Sequence, residues 1–239
     1  NSLFSVANSA IARAEYRSHN YDNALNYYKI AGDKVGYSEA YWQIRYDFLQ
    51  QNMLTILIVI ISISVLISGM KFVDRKWKTF AFYHNFTDKV KSIDLVRQLL
   101  MLFKMFRHPI DTYDDIKRYN KSSILAAVII YTIFVVEMIL LSYFEAFIFN
   151  NTNLASFNVF REMIILYGVV FLFVISNYLI SSLQNGEGFL KDVFIATSYA
   201  LAPIIVFMPF IIIISHGLTL NEVFIYKAIN GISIFWTLL

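Results

Sequence analysis

Cysteine is absent from the 239-residue chain. The sequence therefore excludes a disulfide framework, a thiolate nucleophile and Cys-ligated zinc or iron–sulfur sites. Charged residues are also few, at 15% of the chain. Hydrophobic residues make up 58% and the mean hydropathy is +0.56, which is more apolar than an ordinary soluble domain. This composition excludes a soluble globular enzyme.

Motifs that carry chemistry are missing as well. The chain has no glycine-rich phosphate loop, no HExxH zinc motif and no GxSxG nucleophile turn. The histidines lie in different segments, without partners at metal-ligand spacing: His19, His84, His108 and His216. Aromatic residues have no basic residues interleaved with them outside one loop, which disfavours nucleic-acid binding. We expect a non-enzymatic protein with no cofactor, no metal site and no nucleic-acid partner.

Long apolar runs with few charges are what the sequence does contain. In lipid each backbone polar group must pair within its own segment, so runs of this length are predicted to be helices. The expected spans are Met53–Met70, Ser122–Phe149, Met163–Leu183, Val193–Asn221 and a shortened Val223–Leu239. The predicted fold class is all-α, a polytopic membrane helix bundle with about five spans. Because the chain starts at Asn1 and stops inside an apolar run, we expect a piece of a longer protein.

Positive charge is distributed unevenly, and this predicts orientation. Residues 71–121 hold twelve Lys and Arg residues against five in residues 1–52, and the more basic loop belongs in the cytoplasm. The expected protein is integral to the membrane, with its N-terminal segment extracytoplasmic. The predicted domains are extracytoplasmic helices (1–52), a first transmembrane helix (53–72), a basic cytoplasmic segment (73–121) and a transmembrane bundle (122–239).

The first fifty residues alternate small and large side chains at helical spacing. The alternation is typical of two helices that pack closely, and it comprises Ile11, Ala12, Tyr21, Ala24, Leu25, Tyr28 and Ala31. The stretch NYDNALNYYKIA resembles one tetratricopeptide-type helical hairpin. One such unit cannot bury its own faces, so it would stack on further repeats or cap a neighbouring domain. A generic amphipathic hairpin is the alternative.

A second amphipathic segment lies in the basic loop, between Thr87 and Arg107. At 100° per residue its apolar face consists of Leu95, Leu99, Leu102, Phe103 and Phe106. Charged residues, among them Arg97 and Lys104, lie on the other side. The pattern predicts a cytoplasmic helix that contacts anionic lipid, packs on the spans, or binds a partner protein.

Two short motifs flank the predicted spans. The first precedes the second span in the order Pro-x-x-Thr-aromatic-x-x-Ile and consists of Pro109, Thr112, Tyr113 and Ile116. The second lies between the third and fourth spans and consists of Gly186, Gly188, Phe189, Tyr199 and Pro203. In their order and spacing, residues 105–239 resemble the Yip (Ypt-interacting protein) membrane-domain family, in its bacterial form.

The resemblance implies a five-helix membrane bundle whose N-terminal side is cytoplasmic, which agrees with the orientation obtained from charge. Eukaryotic relatives carry an Asp-Leu-x-Gly-Pro signature linked to small-GTPase binding, and this chain lacks it. The resemblance therefore does not extend to GTPase binding. It implies a bacterial plasma-membrane protein, and it ranks ATP-binding-cassette sugar importers first among possible partners.

Polar side chains inside the spans are the remaining candidates, because each is costly in lipid. They are Glu137, Glu145, Asn177 and Lys227. Glu137 lies near the middle of the second span, either as a protonatable site or as a carboxylic acid bonded to a neighbouring helix. Glu145 and Lys227 fall at matching depths, so we expect them to share a polar pocket, unless Lys227 extends to the headgroups.

Two functions follow from these features. The first is a non-enzymatic membrane anchor or accessory subunit, which associates with other membrane protein subunits and with anionic lipid. The alternative is a small transporter or lipid-handling protein that uses Glu137 and a proline-broken fourth span.

Overall fold

The computed structural model describes residues 2–77, 89–119, 122–183 and 189–238. Within those ranges the regular structure is helical and contains no strand. The helices are α1 (Ser2–Arg17), α2 (Tyr21–Ala31), α3 (Lys34–Trp77), α4 (Asp94–Arg107), α5 (Pro109–Tyr119), α6 (Ile124–Phe144), α7 (Val159–Leu183), α8 (Leu190–Ala200), α9 (Ala202–Ser215) and α10 (Val223–Leu238). The predicted all-α class is confirmed.

Four segments of the described chain are long and apolar enough to cross a membrane. They are Lys34–Met70, Ile124–Phe144, Val159–Leu183 and Leu190–Ser215. The fifth predicted span forms α10, whose 16 residues are fewer than the roughly 20 that a bilayer core requires. The chain is therefore a polytopic helical membrane protein with four full-length candidate spans.

The first of two compact units contains residues 1–90 together with 219–221. Within it α1 and α2 form a helical hairpin that packs on the start of α3. The core cluster of this hairpin is small: Ala12, Ala24, Tyr28 and Ala40. Three alanines bring the helix backbones close together, and one aromatic ring fills the remaining space.

Helix α3 is continuous over 44 residues. Asp33 stabilises its first turn, because its Oδ1 accepts a hydrogen bond from the Gly36 backbone N–H at 3.0 Å. At 1.5 Å per residue the helix is roughly 66 Å long, about twice the thickness of a hydrocarbon core. The domain boundaries expected after residues 52 and 72 therefore fall inside one helix.

The second unit, residues 91–218 with 222–239, is the bundle. Helix α6 is central, because it packs against α4, α7, α8 and α9. Helices α4 and α5 also belong to this unit, so the segment expected as a separate cytoplasmic domain (73–121) is divided. Its second half is part of the bundle.

The fourth span is broken, as the sequence predicts. Helix α8 ends at Ala200 and α9 begins at Ala202, and the Leu201 backbone N–H donates to the Ser198 carbonyl at 3.3 Å in a tighter turn. Pro203 has no backbone N–H to continue the α8 pattern, which is the physical cause of the break. Pro209 lies inside α9.

Helices α4 and α5 are separated by His108 alone. Helix α5 begins at Pro109, where a missing N–H costs nothing. The Thr112 hydroxyl donates back to the His108 carbonyl at 2.8 Å, and the Thr112 side chain is fully buried.

Candidate functional site

Helix α4 packs its apolar face onto the spans. Leu102 is buried, and Leu99 packs against the same core cluster. The Phe106 ring lies 5.6 Å from that of Phe207 and 5.8 Å from that of Trp236, measured between centroids. The sequence left three possible contacts for this face: anionic lipid, the spans and a partner protein. In the structure the spans of this chain contact it.

The buried face of α4 is rotated relative to the predicted one. Met101 and Met105 are buried in the core, although neither belongs to the expected face. Phe103, which does belong to it, is 60% exposed, and Leu95 is half-buried. The predicted face included Phe103 and left out Met101 and Met105. Flexible Met side chains fit the irregular space beside the spans, which explains why these two are buried.

A polar network fastens α4 to the starts of the spans. The side-chain Oε1 of Gln98 accepts hydrogen bonds from the Ser123 hydroxyl (2.6 Å) and backbone N–H (3.1 Å). The Gln98 carbonyl accepts from the Tyr199 hydroxyl at 3.0 Å, and the Ser122 hydroxyl lies 2.8 Å from that same hydroxyl. Ser123 also caps α6, because its Oγ accepts from the Ala126 N–H. We call Gln98, Ser122, Ser123 and Tyr199 the Gln98 network.

A second buried contact ties α6 to α8. The Tyr131 hydroxyl donates to the Phe194 carbonyl at 2.9 Å and lies 2.6 Å from Thr197 Oγ1. The Tyr131 and Phe194 rings pack with centroids 5.0 Å apart. Because the hydroxyls bond to each other and to carbonyls, few polar atoms here face the lipid.

The two short motifs that flank the spans meet in the bundle core. Ile116 of the first motif and Tyr199 of the second belong to one buried cluster, and α5 packs against α8. Tyr199 and Thr112 are fully buried, and Pro203 is buried as well. These motif residues thus specify packing between segments that are far apart in the chain.

Other motif residues lie at the surface. Pro109 and Tyr113 are exposed on α5, and Phe189 is 77% exposed just before α8. Gly186 and Gly188 fall outside the described residues.

Glu137 is partly buried on α6. Its Oε2 is buried and has no hydrogen-bond partner among the residues that the structure describes. Asn177, on α7, is half-buried. Within the described chain no hydrogen bond joins these two side chains.

The expected pair of Glu145 and Lys227 is replaced by a different contact. Helix α6 ends at Phe144, so Glu145 lies in the turn that follows rather than inside the span. Its Oε1 accepts a hydrogen bond from the Tyr226 hydroxyl, and the Tyr226 ring stacks on Phe149 with centroids 4.4 Å apart. Lys227 is exposed, and it does not take part in this contact.

Sequence reasoning missed the residues of the Gln98 network other than Tyr199, and also Tyr131, Thr197 and Tyr226. One signal was available, because Ser123 directly precedes an apolar helical run and so fits an N-cap pattern. Gln98 offered no signal, since a polar residue on an amphipathic helix is expected to face water. Within the described ranges no group of three or more His, Cys, Asp or Glu residues is arranged to hold a metal ion.

The fold and the site together define the chain as a polytopic α-helical membrane protein in which α4, α7, α8 and α9 pack against α6. The Yip1 domain family matches residues 103–239. The match covers more than half of the chain, and the chain belongs to the Yip1 domain family. Comparison with curated proteins and with solved structures found no match.

Proposed function

We propose that this protein is a non-enzymatic membrane anchor and accessory subunit, which holds a larger membrane complex through its N-terminal hairpin. The supporting observation is an uncovered apolar face on α1. Leu3 is 79%, Phe4 61% and Ile11 43% exposed. Exposed alanines share this side of the helix. The whole face consists of Leu3, Phe4, Ala7, Ala10, Ile11 and Ala14.

This outer α1 face is distinct from the face that packs inside the hairpin. At 100° per residue its members fall within an arc of roughly 120°, whereas the buried Asn8 and Ala12 lie outside that arc. The outer face combines small and large apolar residues, as the hairpin's own internal interface does. Its fitting occupant is therefore an apolar helix of a partner protein.

The remaining parts of the proposal follow from the sequence. The hairpin is a tetratricopeptide-like unit on the extracytoplasmic side, α4 and α5 lie on the cytoplasmic side, and the membrane is the bacterial plasma membrane. An ATP-binding-cassette sugar importer is the partner class to be tested first, because the family resemblance ranks it so. We expect the basic segment to contact anionic lipid.

Site-specific photo-crosslinking in native membranes tests this function. A photoreactive residue at Ile11 should give one discrete protein adduct, and Phe4→Glu should abolish it. Val35→Glu is the matched control, because Val35 is also 61% exposed in the same unit but does not lie on α1. A position-independent adduct, or one that survives Phe4→Glu, would contradict the accessory role.

The alternative function, a small transporter that uses Glu137, is favoured by one observation, the unpartnered Oε2 of that side chain. Purified protein in proteoliposomes should then move a solute, and Glu137→Gln should stop the movement without loss of folding. The accessory role predicts instead that Glu137→Gln leaves both assembly and membrane permeability unchanged.

A further inference from the structure

A groove on the surface of the bundle suggests a second kind of partner, independent of the α1 face. Helices α6 and α7 and the start of α8 surround a cavity of about 680 Å³, within the size range of small-molecule sites. Its floor contains Val170 and Val174, which are 8% and 4% exposed. Its rims include Val128 and Phe171, which are 48% and 64% exposed.

The groove is apolar except at one end. Tyr131 lines it, but the Tyr131 hydroxyl is bonded to Thr197 and to the Phe194 carbonyl. Lys191 is the charged residue of the lining, and it lies beside Leu190 at the first turn of α8. Lys191 is exposed, and among the described carboxylates none forms an ion pair with it.

The groove has the length of part of one leaflet. Along α6 its lining runs from Ile124 to Tyr131, which is roughly 10 Å at 1.5 Å per residue. A hydrocarbon core is about 30 Å thick, so each leaflet supplies about half of that depth. The far end lies at the level where the Tyr167 hydroxyl donates to Thr132 Oγ1 at 3.2 Å.

We propose that this groove binds one anionic phospholipid, with an acyl chain against Val170 and Val174 and the headgroup phosphate at Lys191. The apolar wall suits a hydrocarbon chain, and the cation stands where a headgroup of the same leaflet lies. The charge complementarity selects an anionic lipid over a zwitterionic one. The lipid fills the space between α7 and the α6–α8 pair and so supports their packing.

Native mass spectrometry of the full chain tests the proposal. The protein is equilibrated with phosphatidylcholine vesicles that contain a minor fraction of phosphatidylglycerol, and bound lipids are counted after gentle extraction. The wild-type protein should retain one phosphatidylglycerol. Lys191→Gln should lower the preference for phosphatidylglycerol about fivefold, because one lysine near the membrane surface contributes about a factor of this size. Lys117→Gln, at an exposed lysine outside the groove, should not change it.

A second pair of variants tests the groove itself. Val128→Trp fills the rim and should abolish lipid retention, whereas Val136→Trp should not, although Val136 lies on the same helix and is 46% exposed. If Val128→Trp lowers the thermal midpoint, Val128→Phe replaces it in the comparison. Equal lipid retention in the two tryptophan variants would overturn the proposal.

Two further results would also overturn it. One is an equal effect of the two lysine variants on lipid preference. The other is a photo-crosslink from position 128 that attaches to protein rather than to lipid, which would mean that a second copy or another helix covers the groove. Loss of partner crosslinking at Ile11 would leave this lipid result unaffected, so the two proposals fail separately.

Discussion

The N-terminal unit and the bundle use their apolar residues in different ways. In the hairpin the buried cluster is three alanines and Tyr28, whereas the bundle core draws on α4, α5, α6, α7, α8 and α9. In an apolar 18-residue stretch of α3 no residue is buried, whereas half of the residues are buried in the corresponding stretch of α8 and α9. Hydrophobicity alone therefore does not distinguish a packed span from one whose side chains all face outward.

The difference lies in hydrogen bonds between helices rather than in apolar content. The bundle contains the Gln98 network and the Tyr131–Thr197 contact, which fix the helices in one register. Lipid is as apolar as leucine, so association of spans depends on packing and on such hydrogen bonds. Between Met53 and Met70, the polar side chains of α3 are Thr55, Ser62, Ser64 and Ser68, and all four are exposed.

The largest expected effect concerns the sides of the membrane on which the two regions lie. Because the chain has no cysteine, single-cysteine variants give a clean readout. We expect Ser18→Cys to be labelled completely by an impermeant thiol reagent in intact cells, and Ser92→Cys only after permeabilisation, because the excess of Lys and Arg in residues 71–121 predicts a cytoplasmic location for that segment. The reverse labelling pattern would place the hairpin in the cytoplasm and remove the proposed extracytoplasmic partner.

The bundle should be most sensitive at Tyr199, which is fully buried. Tyr199→Ala removes a ring from the core and two hydrogen bonds, and should lower the free energy of unfolding by about 3 to 5 kcal/mol. Tyr199→Phe keeps the ring and should cost about 1 kcal/mol. Circular dichroism melting in detergent measures both, and equal effects would mean that the hydroxyl, not the packing, holds the motifs together.

The hairpin should be sensitive at Gly36, where the α3 backbone lies against the Tyr28 side chain of α2. A Cβ at this position would lie 2.3 Å from the ring of the buried Tyr28, so Gly36→Ala should destabilise the unit by about 1 to 3 kcal/mol. Gly69→Ala is the control on the same helix, because a Cβ there meets nothing within 4 Å. Limited proteolysis between α1 and α2 should increase only in the first variant.

The smallest effect is expected at the α6 cap. Ser123→Ala removes the bond to the Ala126 N–H and the 2.6 Å bond to Gln98, and should cost about 1 kcal/mol. Ser142→Ala on the same helix is the control, because its hydroxyl bonds only to the Met138 carbonyl one turn earlier. Hydrogen exchange at the start of α6 should rise for Ser123→Ala alone.

By itself the sequence determined the fold class, at least one end of each of the four full-length spans to within a few residues, and the break near Pro203. These features depend on local composition: the length of apolar runs, and the missing N–H of proline. The small-residue pattern around Ala12 and Ala24 also predicted a hairpin, because close helix packing requires small side chains whatever else is nearby.

Only the tertiary structure decided which residues meet. It paired Glu145 with Tyr226 rather than Lys227, since a helix that ends at Phe144 turns the next residue toward α10. It rotated α4 so that Met101 and Met105 are buried and gave Gln98 its partners at Ser123 and Tyr199. Such contacts depend on the relative rotation of helices distant in sequence, which periodicity within one helix does not contain.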